Sequence, residues 1–297
     1  MTPLSAQKRA EARVGLMLAA PAILLLVLLV VLPVLATAGF SLTDYRLGTQ
    51  AIGFAGFDNY AALWNDPRFW QSVANTATYT LIVVPGSVGL GLGAALLIES
   101  RGWLKPFYRV AYFLPVASTF IAMAIVWEFL MNPSVGLFNQ ILAALGLPSV
   151  NFLGNPQTAL YSMAAIGIWE LTGFNMVLFM AGLSAIPRDL YDASAVDGAE
   201  SGWDRFRMVT WPMLGPTTFF VVIITMIRAV RVFEVAAVIT QGRPEGATEV
   251  LLYSIYVQAF QYFNIGYAAA LIVVFLAVTA LIALAQARFG GQREANR

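Results

Sequence analysis

The sequence predicts an all-α membrane protein of six transmembrane helices, with a structured helix–turn–helix loop on its cytoplasmic side. Three observations carry this. First, 59% of the residues are hydrophobic and only 11% charged, at a mean hydropathy of +0.74. A soluble chain holds roughly 45–50% apolar and about 25% charged residues, so this one lacks the charge to coat a water-facing surface. Second, its apolar blocks, Val14 to Ser41 for example, exceed the ~20 residues needed to cross a hydrocarbon core about 30 Å thick. Third, the positive residues are sorted. Of 17 Lys and Arg, twelve fall on one side of the spans: Lys8, Arg9, Arg13, Arg101, Lys105, Arg109, Arg188, Arg205, Arg207, Arg288, Arg293 and Arg297. Only Arg46, Arg68 and Arg243 fall on the other. Positive residues mark the cytoplasmic face, which puts both termini inside.

The elements follow in order. Residues 1–13 read as a cytoplasmic N-terminal segment and 288–297 as a cytoplasmic tail, with the membrane domain over 14–287 between them. The first apolar run, 14–41, carries Ala36-Thr37-Ala38, which looks like a signal cleavage site. Its apolar part is about twice the 7–15 residues of a signal core, so an uncleaved first helix is expected. Five more spans are expected at about 72–98, 108–131, 159–186, 212–240 and 265–287. Pro33, Pro85 and Pro115 lie within spans, and Gly86, Gly89, Gly91 and Gly93 cluster in the second. Close helix packing accounts for both features. The outer loop at about 42–71 holds Tyr45, Phe54, Phe57, Tyr60, Trp64 and Trp70, aromatics suited to the membrane interface or to a partner. In the second outer loop, Leu137 to Leu147 reads as a short helix lying along the surface.

Some chemistry is excluded. Cysteine and histidine are both absent, which removes thiolate catalysis, disulfides and the commonest general base and metal ligand. The net charge of +1 carries no sign of a nucleic-acid partner. No G-x-x-x-x-G-K-[ST] loop is present, so any ATP hydrolysis must lie in another chain.

The segment 187–211, PRDLYDASAVDGAESGWDRFRMVTW, is too long for a plain connector. Asp189 can cap a short helix, Gly198 suits the turn that ends it, and Trp203 and Phe206 share a face of a second segment. Pro212 and Pro216 suit the opening of the next span. Such an amphipathic element either rests on lipid, as Trp203, Arg205 and Arg207 favour, or inserts into a groove of a cytoplasmic partner.

The run Asp192-Ala193-Ser194-Ala195-Val196-Asp197-Gly198-Ala199, with Phe206 and Pro212, resembles the EAA loop of ABC importer permeases. The chain from about residue 72 onward is similar to the MalF/UgpA-type permeases of the carbohydrate-uptake class. Besides the loop, the likeness rests on WEFLMNPSVGLFN from Trp127, WELTGFNMVLFMAGL from Trp169, and TQGRPEGATE and AFQYFNIGYAAAL within Phe233 to Leu271. Two residues depart from the pattern: Asp192 stands where Glu is usual, and Arg243 where a second glycine is usual. The resemblance implies a type I importer permease that binds no cofactor itself. It implies ATPase coupling through Asp192, Ala193, Asp197, Gly198, Ala199 and Phe206. The partners it implies are a second, different permease subunit, two ATP-binding cassette subunits carrying ATP and Mg, and a periplasmic or extracellular solute-binding protein. The expected location is the bacterial inner membrane.

Ionisable residues within spans are costly and are functional candidates by default. Glu170 and Asn175 lie in the fourth span, Arg228, Arg231 and Glu234 in the fifth, and Glu128 near the outer end of the third. Three-residue spacing lets Arg231 pair with Glu234. Glu170, Phe174, Asn175, Arg228, Arg231 and Glu234 are the expected solute pathway, with Phe174 and Phe233 able to stack on a sugar ring. A buried ion-pair network that merely fixes helix packing is the structural alternative. If Glu234 neutralises one arginine, the other favours a phosphate- or sulfonate-bearing solute; otherwise a neutral sugar or polyol is expected. A secondary transporter that needs no ATP, and a membrane enzyme using Asp192 and Asp197, are the rival classes.

Overall fold

The computed structural model describes residues 6–49, 51–99 and 105–295. Residues 1–5, Arg101 and Arg297 lie outside the described residues, as do the side chains of Lys8, Arg9, Arg13, Lys105, Arg109 and Arg293. No strand forms among the described residues; the chain is helical, with one isolated bridge between Thr43 and Phe54.

Two compact units are present: residues 1–65 with 255–277, and residues 66–254 with 278–297. In the first, α1 (Ala6–Leu26) runs through a π-turn (Val27–Val31) into α2 (Leu32–Phe40), which opens on Pro33 where no N–H is needed. Helix α3 (Asp58–Trp64) follows. Asn59 Nδ2 donates to the carbonyls of Ser41 and Thr43 at 2.9 and 2.8 Å. The Leu47 N–H donates to Phe263 O, and the Gly266 N–H to Tyr45 O, both at 2.9 Å. A Cβ at Gly266 would strike the Thr43 carbonyl, so only glycine allows this approach. Phe54, Phe57 and Trp64 stay exposed.

The second unit is built on α4 (Pro67–Glu99), α5 (Lys105–Ala117), α6 (Phe120–Leu130), α7 (Leu137–Ala144) and α8 (Pro156–Ser184). Next come α9 (Arg188–Val196), α10 (Gly202–Arg205), a π-turn (Phe206–Thr210), α11 (Trp211–Met213) and α12 (Gly215–Val230). A π-turn (Ala236–Thr240) precedes α13 (Leu251–Tyr256); from Ile255 the chain belongs to the first unit, through a further π-turn (Val257–Gln261) and the start of α14 (Ile265–Ala295), whose residues from Val278 belong to the second.

Helices α4 and α8 form the centre. Gly91 lies so close to α8 that an added Cβ would sit 2.7 Å from the Asn175 Cβ, and one on Gly86 would sit 2.7 Å from Ile168. Beyond this contact Met176, Phe179, Met180, Leu183, Leu214 and Val221 make a core around the C-terminal halves of α4 and α8 and the N-terminal half of α12. The other two glycines of the cluster, Gly89 and Gly93, meet nothing within 4 Å.

Four helices among the described residues are long and apolar enough to cross a membrane: Val14–Phe40, Pro67–Glu99, Pro156–Ser184 and Ile265–Gln286. These match the expected first, second, fourth and sixth spans. The third and fifth differ from expectation. The third divides into α5 and α6 at Ser118–Thr119, where Thr119 is extended. Pro115 lacks an N–H for the α5 ladder, and the helix ends two residues later. The fifth breaks after Val230, passes through Arg231, Val232 and Phe233, and becomes helical again at Glu234.

Candidate functional site

The break in the fifth span makes a cavity of about 390 Å³. Helix α12 delivers Arg228 in its last turn and Arg231 at its C-cap. The non-helical step contributes Phe233, and Glu234 opens the next helical stretch. Helix α8 supplies Glu170, α4 supplies Tyr79 and α13 supplies Leu252. The placement follows helix electrostatics. A helix C-terminus carries partial negative charge and favours arginine, and a helix start favours glutamate.

This geometry removes the helical spacing on which the expected pairing of Arg231 with Glu234 rested. Three-residue spacing puts two side chains on one face only in a continuous helix, and here the helix stops between them. Arg228 finds another neighbour: its guanidinium lies 4.0 Å above the centre of the Phe174 ring, a cation–π contact. Phe174 therefore backs an arginine and is not among the cavity-lining residues. Glu170 joins the arginines and Glu234, so the cavity holds two guanidinium and two carboxyl groups.

Asn175 is set apart from this group. It is fully buried at 0% exposure. Its Oδ1 accepts from Thr225 Oγ1 at 2.8 Å and its Nδ2 donates to Ser87 Oγ at 3.2 Å. It ties α8 to α12 and α4 as a satisfied internal polar clamp. Glu128 is exposed on α6, also apart from the cavity. Tyr79 was missed by sequence reasoning. Its hydroxyl occupies the space where a Cβ on residue 167 would stand, so Gly167 was the only sequence signal, and it becomes readable once α4 and α8 are known to touch.

The second constellation is the loop between α8 and α12. Asp189 is not the helix cap as expected; Pro187 holds that position and Asp189 sits in the first turn of α9, where its charge still favours the helix start. The helix ends in a Schellman motif. The Ala199 N–H donates to Ser194 O at 2.9 Å and the Gly198 N–H to Ala195 O at 3.4 Å, with Gly198 at φ +92°. Ala199 is buried at 1% exposure, whereas Asp192, Ala193, Asp197 and Gly198 face outward. Tyr191 shares a 3.0 Å hydrogen bond with Thr210 Oγ1, which ties α9 to the next segment.

That segment starts with a capping box. Ser201 Oγ accepts from the Asp204 N–H at 3.1 Å, and Asp204 Oδ2 accepts from the Ser201 N–H at 3.1 Å and from its hydroxyl at 2.6 Å. Hydrogen bonds from the Ser201 side chain, then its backbone, hold the Asp204 carboxyl below its usual range. Trp203 and Phe206 stack with centroids 5.4 Å apart, as their spacing predicts.

The geometry can be set beside known proteins. Residues 86–291 match the family described as "Binding-protein-dependent transport system inner membrane component". The trehalose/maltose transport system permease protein MalF of Thermococcus litoralis is 36% identical over 259 residues, 87% of this chain and 86% of that protein. The sulfoquinovosyl glycerol transport system permease protein SmoG of Agrobacterium fabrum is 33% identical over 268 residues, 89% and 86% of the two chains. Among solved structures, a bacterial ABC transporter involved in import of the acidic polysaccharide alginate superposes with a TM-score of 0.81. It shares 22% identity and covers 96% of both chains. The helical order, the broken fifth span and the structured loop thus coincide with a family match over most of the chain, and the protein belongs to the binding-protein-dependent transport system inner membrane components, the permeases of ABC importers.

Proposed function

We propose that this chain is one of two different permease subunits in an ATP-driven, binding-protein-dependent importer of a sugar, polyol or glycoside. The observation that carries the reading is the cavity at the helix break. It gathers Glu170, Arg228, Arg231 and Glu234 beside Phe233, and carboxylates and guanidiniums suit hydroxyl-rich solutes through paired hydrogen bonds. The named substrates of the two relatives, trehalose or maltose and sulfoquinovosyl glycerol, support a carbohydrate. In this reading six spans cross the bacterial inner membrane with both termini in the cytoplasm, the third and fifth as broken helices. Asp192, Ala193, Asp197 and Gly198 form the surface that docks on one of two ATPase subunits carrying ATP and Mg, with Ala199 buried behind it and Phe206 in the adjoining segment. ATP-driven closure rocks the helices about the cavity, so that it opens alternately to either side.

The test is purification of the tagged chain from its native membrane, followed by uptake assays in vesicles. Recovery of an ATPase and a second permease, lost in Asp192→Ala with Gly198→Pro, is the expected result. A chain that purifies alone and still moves solute identifies a secondary transporter instead.

A second reading takes an anionic sugar or glycerol derivative as the solute. Arg228 and Arg231 favour it; Glu170 and Glu234 balance their charge within this chain and favour a neutral solute. Replacing both arginines by Gln abolishes uptake of an anionic glycoside if this second reading holds. Unchanged uptake removes it.

A further inference from the structure

The loop between α8 and α12 has two halves of opposite character. Asp189, Asp192, Asp197 and Glu200, in α9 and the turn after it, are all exposed. The second half, Gly202–Met213, exposes Arg205 and Arg207 instead. The sole acid there, Asp204, is engaged by Ser201.

The shape of the second half is equally specific. Gly202–Met213 meets α12 at 66°. With α12 crossing the bilayer, this helix lies closer to the membrane plane than to its normal. Val209 and Thr210 pack inward, whereas Trp203 is 69% and Trp211 49% exposed. Trp203, Arg207 and Trp211 recur at every fourth position, so they form one stripe. Within it the π-turn Phe206–Thr210 brings residues five apart together. The Phe206 ring centre therefore lies 6.0 Å from that of Trp211, in a tilted pair, as well as 5.4 Å from that of Trp203, on which it stacks. The outcome is a three-ring ledge, with Arg205, Arg207 and Met208 exposed in the same segment.

From this we infer that Gly202–Met213 is an interfacial anchor that holds anionic phospholipid headgroups of the leaflet it faces. Arg205 and Arg207 take the phosphates, and Trp203 and Trp211 rest in the headgroup layer. Amphipathic tryptophan belongs at that depth, and basic residues on an in-plane helix bind anionic lipid. The loop is thereby divided: α9 is left for the protein partner proposed above, and the following helix fixes its height against the membrane. The inference rests on reading this loop as a membrane-face element, but it does not need the ATPase contact.

The chain has no cysteine, so an introduced one carries the only spin label. Full-length Met208→Cys is labelled and placed in nanodiscs of phosphatidylcholine with or without phosphatidylglycerol, and a Val196→Cys label on α9 serves as the water-facing control. The expected result is that the label at 208 collides more with oxygen than with a water-soluble nickel chelate, and more so when phosphatidylglycerol is present. Native mass spectrometry of the detergent-purified chain, titrated with phosphatidylglycerol, reads affinity. Arg205→Gln and Arg207→Gln each weaken it by roughly five-fold, the effect of one basic residue near an anionic surface.

A label that faces water in both lipids, or retention unchanged in both variants, overturns the inference. So does a label at 208 that is water-facing until an ATPase subunit is added and is then covered, because the ledge then belongs to a protein. The importer reading fails separately, through the absence of an ATPase in the purified complex.

Discussion

Gly198→Ala isolates a single physical term. Gly198 has φ +92°, and a Cβ built on it meets nothing within 4 Å, so the substitution creates no clash. What remains is the cost of holding an L-residue in left-handed backbone, about 1–2 kcal/mol. That cost falls on the Schellman motif, whose Ala199 N–H to Ser194 O bond of 2.9 Å closes the end of α9. A local penalty of this size raises the population of the opened turn by roughly 5–30-fold. Hydrogen–deuterium exchange, read on a peptide covering residues 194–201, should accelerate by that factor in Gly198→Ala. Gly198→Asn, which visits left-handed backbone more readily, should fall between it and the natural chain. The exchange of α8 should not change. If Gly198→Ala exchanges at the natural rate, or Gly198→Asn is as fast as Gly198→Ala, the backbone argument is wrong.

Three further outcomes are expected. Asn175→Ala removes the acceptor of the Thr225 hydroxyl, whereas Ser87 keeps its bond to the Val83 carbonyl; one buried polar group left unsatisfied costs about 1–3 kcal/mol, so the variant loses thermal stability in detergent, whereas Asn175→Ala at unchanged melting temperature refutes the clamp. Gly91→Ala forces a Cβ to 2.7 Å from Asn175 and costs about 1–3 kcal/mol, while Gly89→Ala, in open space, leaves the melting temperature unmoved; equal effects at the two sites would count against the packing described. Because the folded-state carboxyl of Asp204 is held low, its contribution to the turn is complete above the unfolded carboxyl range and is lost only as pH falls through the depressed folded value. A carbon-13 titration of Asp204 should therefore give a midpoint below that of an unstructured aspartate, and Ser201→Ala should move it back up.

Much of the local structure was legible in the residues. The length of Val14–Phe40, Pro67–Glu99, Pro156–Ser184 and Ile265–Gln286 as helices follows from apolar runs, because a backbone in hydrocarbon must satisfy its own hydrogen bonds. Gly198 announced a left-handed turn, and the three-residue step from Trp203 to Phe206 announced a stack. The capping box at Ser201 and Asp204 is equally local, since both partners lie within one turn.

By itself, then, the sequence determined that the chain is a helical membrane protein, where four of its spans fall, and how its loop turns, because these depend on composition and on neighbours within four residues. Only the tertiary structure decided which polar residues of the spans share a cavity. Asn175 and Glu170 stand five residues apart on α8; packing against Thr225 and Ser87 turned the first inward, and the break after Val230 left the second facing two arginines. Likewise the spacing of Arg231 and Glu234 carries its pairing only if the helix continues, and the helix stops there. Where a helix breaks, and which of its faces meets a neighbour, is set by contacts between residues more than a hundred positions apart in the chain, such as the Leu251 N–H with Thr76 Oγ1, and local spacing does not contain them.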